Sequence, residues 1–370
     1  MEKKLFVCNT VYQLFVALWL KENKFKNSHV DIIISDHMNN SKELFNNVKK
    51  YADFDKNYWI ESKNYSYFLE NTRKFENIIS DISPKYVLKK FVDLSLVDYR
   101  DIYIANVDRF AILLYQALKR ETNKIKIHIY EDGLATYSQT FEKALFYKED
   151  FKTLNIMKRI LHQKIYKLNA ICDDITNVLV FAVDKIQWKP QNNVSLQEMN
   201  KIDYTNQDFK KKCNKIFGLT EDDLYKQKYI FFEQPFEEDI GKVNDLELVK
   251  SISEKVGKNN LIVKRHPRNK KNRFIDIGVT TNNNSSVPWE VVLMNMCDLQ
   301  SKVLITVSST CVITPWLLFG ETTQIYSIYK LIKKISDGKK LNENEQDATY
   351  SILTQYSNII KFVNDISEIK

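Results

Sequence analysis

Only seven glycines occur in 370 residues, and none of them forms a GxGxxG turn or a Walker loop, which excludes the usual glycine-built dinucleotide and P-loop sites. The net charge of +8, from 55 basic and 47 acidic residues, suits an anionic substrate or an anionic membrane surface; without a nucleic-acid module it argues against nucleic acid as a partner. Five scattered cysteines, Cys8, Cys172, Cys213, Cys297 and Cys311, show no CxxC or zinc spacing and read as reduced thiols of a cytosolic protein, in a chain whose length predicts two α/β domains.

The N-terminus begins Lys3-Lys4 and runs apolar over residues 5–20, but Asn9, Thr10 and Gln13 interrupt it and no small-residue cleavage site follows. The run is too short and polar to span a bilayer, so it reads as a strand over 5–8, a turn at Asn9-Thr10 and a helix over 11–21. Strands follow at 31–35, 57–61, 101–105 and 126–130, with helices at 41–51, 65–82 and 109–119. Alternation of this kind predicts a parallel sheet with right-handed crossovers. Residues 141–169 read as a helix with a basic polar side, and 177–183 as a strand. Between 187 and 209 the chain turns polar, with Pro190 and several asparagines, and reads as an interdomain linker. The second unit has strands at 229–232, 261–264, 302–307 and 324–326, helices at 246–256 and 288–295, and a terminal helix over 348–369.

Three short islands follow strands, where ligands gather in open α/β domains. Glu131-Asp132-Gly133 places an acid pair beside a glycine that permits a tight turn. It suits a general base for an acceptor hydroxyl, though an acidic Asp-Gly turn is the commoner use of such a tripeptide. His266-Pro267 lies within residues 264–273, which hold six cationic side chains including Lys264 and Arg268. A phosphate there would favour the protonated histidine, able to donate to a leaving group; a solvated basic loop is the alternative. Ser308-Ser309-Thr310 offers hydroxyls ahead of an expected helix, as an anion site or a plain N-cap. Between the last two, Pro288-Trp289-Glu290 offers a carboxylate for a ribose diol, or one that complements a helix N-terminus.

The order and spacing of Glu131-Asp132-Gly133, His266-Pro267, Pro288-Trp289-Glu290 and Ser308-Ser309 resemble bacterial sialyltransferases, especially glycosyltransferase family 52, with its lipooligosaccharide and capsule enzymes. The opening residues 8–14 resemble that family's N-terminal signature, with Val11 where it has proline, and Gln234-Pro235 matches a segment near the start of its second domain.

The resemblance implies an α/β fold of GT-B type, two Rossmann-like domains facing across a central cleft. An acceptor-side domain would cover residues 1–190, a CMP-binding domain 210–340, and a terminal helical segment, 341–370, would pack back on the first domain. It implies inverting transfer of sialic acid from CMP-N-acetylneuraminate to a glycan hydroxyl, terminal galactose with α2,3 linkage being the commonest acceptor. Asp132 would be the base, with Glu131 and Gly133 in support. His266, Ser308 and Ser309 would stabilise the phosphate, backed by Lys264 and Arg268, and Glu290 would hold the ribose. Pro267, Thr310, Gln234, Asn9, Thr10 and Gln13 complete the expected donor site. No metal and no cofactor is expected. A cytoplasmic enzyme at the inner face of the membrane, with a lipid-linked acceptor and a dimeric state, is compatible with this reading. Two alternatives stay open: a hexosyltransferase using a UDP-sugar, and a non-enzymatic sugar- or anion-binding module.

Overall fold

The structure is a computed structural model that describes residues 3–63, 83–96, 98–122, 124–146, 171–191, 194–336 and 348–370. The chain divides into two units, residues 1–200 and 201–370. The helix expected over 65–82 and most of that expected over 141–169 lie outside the described residues; the second begins as a helix over Gln139–Leu145.

The first unit carries a seven-stranded sheet. Its strands are β1 (Lys3–Cys8), β2 (Val30–Ser35), β3 (Asn57–Ile60), β4 (Tyr99–Ile104), β5 (Lys126–Tyr130), β6 (Ile175–Val180) and β7 (Ser195–Glu198). They lie in the order β3-β2-β1-β4-β5-β6-β7, and every pairing is parallel. Central strands buried on both faces read as unbroken apolar runs; Leu5, Phe6, Val7 and Cys8 of β1 and Ile32, Ile33 and Ile34 of β2 are all buried. Helix α1 (Val11–Asn23) follows β1 directly. Thr10 caps it, its hydroxyl accepting from the Gln13 N–H at 3.1 Å.

The second unit repeats the plan with β8 (Tyr229–Phe232), β9 (Leu261–Lys264), β10 (Thr280–Thr281), β11 (Val303–Thr306), β12 (Gln324–Ser327) and β13 (Ile360–Phe362). The order is β10-β9-β8-β11-β12-β13, again all parallel. Phe231, Val263, Ile305 and Tyr326 sit in one buried cluster that this sheet shares with its covering elements. In both sheets the chain works outward in one direction and then reverses. The switch points fall between β1 and β4 and between β8 and β11, and crevices for ligands form beyond the carboxyl ends of such strand pairs.

Three expectations are corrected. The polar stretch read as a linker contains β7, paired in parallel with β6; an edge strand bonded on one side stays half in water and carries no apolar signature. The terminal helix over 348–369 is a helix only at Ala348–Thr354. It gives way to β13, which pairs with β12, and the segment belongs to the second unit. The run Ile359-Ile360-Lys361-Phe362-Val363 has the β-branched and aromatic content of a strand. The serine island leads into a 3₁₀ turn, Thr310–Ile313, and a π-type turn, Pro315–Phe319, rather than a regular helix. Pro315 has no N–H to continue the ladder.

Candidate active site

At the carboxyl end of β5 the two adjacent acids have different surroundings. Glu131 is fully buried and accepts three hydrogen bonds, from the Tyr12 hydroxyl at 2.6 Å, the Tyr137 hydroxyl and the Phe181 N–H at 2.9 Å. Its carboxylate is engaged in joining α1, the turn after β5 and the end of β6. Asp132 is half-buried, and its carboxyl is raised above the ordinary range by burial, against side-chain hydrogen bonding from Gln13 and Thr10. Its backbone N–H is held by the Thr136 hydroxyl at 2.8 Å. Gly133 takes φ 72°, a left-handed turn that glycine adopts without strain. A partly desolvated carboxylate beside neutral donors has the character of a general base.

Of the expected residues of the first turn, Gln13 and Thr10 face this acid and Asn9 turns to Asp108. Gln13 is fully buried; its Oε1 accepts from the Asn9 N–H at 2.6 Å, while its Nε2 lacks a partner of full hydrogen-bond geometry. Asn9 Nδ2 donates to Asp108 across the switch point at 2.5 Å, and Asn9 Oδ1 is buried without a partner. Asp108, which the motif reading missed, also caps the helix Arg109–Glu121 through the Ala111 N–H at 2.7 Å. Burial raises its carboxyl too. An aspartate directly before an apolar helical run is the sequence signal that locates it.

In the second unit the islands meet at the ends of β8, β9 and β11. Gln234 follows β8 and grips Ser308 with both ends of its amide: Oε1 accepts from the Ser308 N–H at 2.7 Å and Nε2 donates to Ser308 Oγ at 2.9 Å. The preceding residue, Glu233, is buried and accepts from the His266 N–H at 2.9 Å. Its other oxygen lies 3.5 Å from Arg273, which forks onto buried Asp245 at 3.2 and 2.6 Å. Asn269 Nδ2 donates to the Gln234 carbonyl at 3.3 Å and its backbone N–H to the His266 carbonyl at 3.0 Å, closing the His266-Pro267 turn. Ser309 is less buried than Ser308; its N–H donates to Thr306 Oγ1 at 2.6 Å and its Oγ accepts from the Cys311 N–H at 3.4 Å. Thr310 is half-buried at the start of the 3₁₀ turn, and Pro267 is exposed.

The histidine's own surroundings favour its neutral form. Burial, with Arg268 and Lys264 adding to it, lowers the imidazole to about 4, so the protein by itself holds His266 neutral at pH 7. Its Nδ1 accepts from the Arg268 N–H at 3.2 Å, which leaves the proton on Nε2. Arg268 forks onto Asp239 at 3.0 Å on both arms, so much of its charge is neutralised locally. Lys264 and Glu290 are both buried. Burial lowers the lysine, opposed by Cys311 and Glu290, and raises the glutamate, opposed by its own backbone N–H and by Lys264. Glu290 stands in the first turn of the helix Trp289–Asn295, and Trp289 Nε1 donates to the Cys311 carbonyl at 3.0 Å. Glu233, Arg273 and Asp245 were not singled out in the sequence. Among the described residues no three His, Cys, Asp or Glu side chains gather as metal ligands.

Residues 4–328 match the family model for Alpha-2,8-polysialyltransferase (POLYST). No curated protein matches the sequence. Among solved structures, the chain is similar to an alpha/beta-galactoside alpha-2,3-sialyltransferase from the luminous marine bacterium Photobacterium phosphoreum. That match has 13% identity, 99% coverage of each chain and a TM-score of 0.52. It is also similar to the UDP-GlcNAc 2-epimerase of Neisseria meningitidis, with 12% identity, coverage of 97% of this chain and 91% of that one, and a TM-score of 0.44. For the epimerase of Methanocaldococcus jannaschii the values are 13%, 98%, 89% and 0.46. The likeness to the marine enzyme extends to the fold: two Rossmann-like parallel-sheet units of the GT-B class.

Proposed function

The chain belongs to the alpha-2,8-polysialyltransferase family, and on that premise we propose that it is an inverting sialyltransferase that uses CMP-sialic acid and a glycan acceptor. The observation that carries the mechanism is the division of labour between the adjacent acids. Glu131 is engaged with three donors, while Asp132 is half-buried, raised in pKa and faced by Gln13 and Thr10. Asp132 takes the proton of an acceptor hydroxyl as that oxygen bonds to sialyl C2. The bond from C2 to the phosphate oxygen breaks through an oxocarbenium-like state, and CMP leaves with the electron pair. His266 Nε2, Ser308 and Ser309 receive the growing phosphate charge, Lys264 and Arg268 add positive potential, and Glu290 holds the ribose. Neutral and cationic donors of this kind support transfer that needs no divalent ion. The kinship with glycosyltransferase family 52, implied by the order of the motifs, is part of the same proposal.

A galactose acceptor and an α2,3 linkage, the commonest case in the family the motifs resemble, form the first reading. A second reading, an α2,8 linkage to a sialic acid, is favoured by the family's description. Among the described residues no helix is long and apolar enough to cross a membrane. The proposed setting is the cytoplasmic face of the membrane, with a lipid-linked surface glycan as acceptor and a dimer as the working form. The test is a transfer screen pairing CMP-sialic acid, UDP-glucose and UDP-galactose with galactose-terminated and sialyl-terminated oligosaccharides. The expected result is CMP release and a sialylated product whose linkage separates the two acceptors. UDP release would replace the reading with hexosyl transfer, and no turnover with any donor would leave a binding module.

A further inference from the structure

We propose that Gln234 is a positioning residue that sets the hydrogen-bond polarity of Ser308, so that the serine presents its proton to the donor phosphate. The inference rests on the proposed donor site and adds to it the means by which that site is held in a donating state. Gln234 stands at the end of β8 and Ser308 just beyond β11, the two strands that flank the switch point of the second sheet. The amide has one possible orientation. Its oxygen lies 2.7 Å from the Ser308 N–H, which can only donate, so its nitrogen faces Ser308 Oγ at 2.9 Å. The hydroxyl therefore accepts from Gln234 and keeps its own proton. Ser308 is 1% exposed, and among the described residues no acceptor receives that proton. A nearly buried donor left without an acceptor is costly, and a bound anion removes the cost. The neighbouring His266 is set in the same sense, since the Arg268 N–H on Nδ1 leaves Nε2 as a donor. Gln234 thus acts through the serine, and a residue of the same shape with inverted hydrogen-bonding would undo its effect.

Gln234→Glu is that residue. The carboxylate still accepts from the Ser308 N–H, but its second oxygen also accepts and draws the serine proton away from the ligand. Calorimetry with CMP on the full chain, in a double-mutant cycle with Ser308→Ala, separates this effect from the added charge. Ser308→Ala alone should weaken CMP about tenfold to a hundredfold, the range of one hydrogen bond to a charged group. Gln234→Glu should cost at least as much with the serine present and clearly less on the alanine background, with the melting temperature little changed. If it costs the same on both backgrounds, charge repulsion accounts for it and the polarity inference is overturned. If CMP binds wild type and Ser308→Ala equally well, or binds neither, the proposed donor site itself fails. Should Gln234→Glu unfold, Gln234→Met serves in the same cycle, removing both contacts without adding charge; its loss should shrink on the alanine background, and an unchanged loss overturns the inference.

Discussion

Exchanging each acid of the Glu131-Asp132 pair for its amide should produce opposite phenotypes. Asp132→Asn removes the proposed base and should lower kcat by roughly two to four orders of magnitude with little effect on CMP affinity. It should not lower stability. Burial raises the Asp132 pKa above its unfolded value, so the protonated form is the one favoured by folding. Its contribution is fully present below the unfolded pKa and is lost as pH rises through the folded one; at pH 7 the ionised carboxylate opposes folding, and a neutral amide relieves that opposition. Glu131→Gln has a different outcome. The Phe181 N–H at 2.9 Å requires an acceptor, which confines the new amide nitrogen to the side facing Tyr12. The Tyr12 hydroxyl must then reverse its role, and three charge-assisted bonds become neutral ones. The net cost is about 1–3 kcal/mol, which lowers the melting temperature of a unit of this size by about 2–12 °C. Steady-state kinetics and thermal melting on both variants read out the two effects. Near-normal turnover in Asp132→Asn, or a larger stability loss there than in Glu131→Gln, would refute the assignment of base and scaffold.

Turnover should survive an excess of EDTA, and complete loss restored by Mg²⁺ or Mn²⁺ would place a metal in the mechanism. Between about pH 6.5 and 4 the unfolded chain protonates its histidine while the folded His266 stays neutral, so the stability of wild type should fall as pH drops through that window; denaturant melts of His266→Asn should show a shallower fall. Arg273→Ala breaks the fork onto Asp245 and frees the charge of Glu233 behind the His266 N–H. It should destabilise by about 3 kcal/mol and depress turnover as well, and a stability loss with normal kcat would show that this network does not hold the histidine loop.

Much of the architecture was readable from the pattern of apolar runs, because strands buried on both faces leave nothing else in the sequence. The exceptions have physical causes. β7 is an edge strand with a polar face to water, so it lacked the one signal in use. β13 lies in a region whose helical spacing and β-branched content compete, and pairing with β12 decides between them. The site was legible as islands and not as contacts. Adjacent acids such as Glu131 and Asp132 look alike in sequence and differ only in what surrounds their side chains. A protonated His266 is expected beside a bound phosphate; the burial and neighbouring cations that favour the neutral ring are surroundings the motif does not show. Arg273 was one more cation in a charge run until Asp245, 28 residues away, was seen beside it.

The scarcity of glycine connects these observations. A glycine loop holds an anion with backbone N–H groups, whose polarity is fixed by the covalent chain. Hydroxyls and imidazoles have no such fixed polarity, since each can donate or accept. A phosphate site built from them requires neighbours that assign the protons. The Arg268 N–H does this for His266 Nδ1, and the Gln234 amide does it for Ser308 Oγ. Gln234 stands just past the end of β8 and Arg268 in the loop after β9, and Glu233 ties the histidine turn to the strand end that carries Gln234. In the first unit Gln13 and Thr10 serve the opposite purpose, keeping the Asp132 carboxylate supplied with weak donors while burial raises its affinity for a proton. In the proposed mechanism the residues that assign protons therefore count as much as Asp132, His266 and Ser308, the residues proposed to face the substrate.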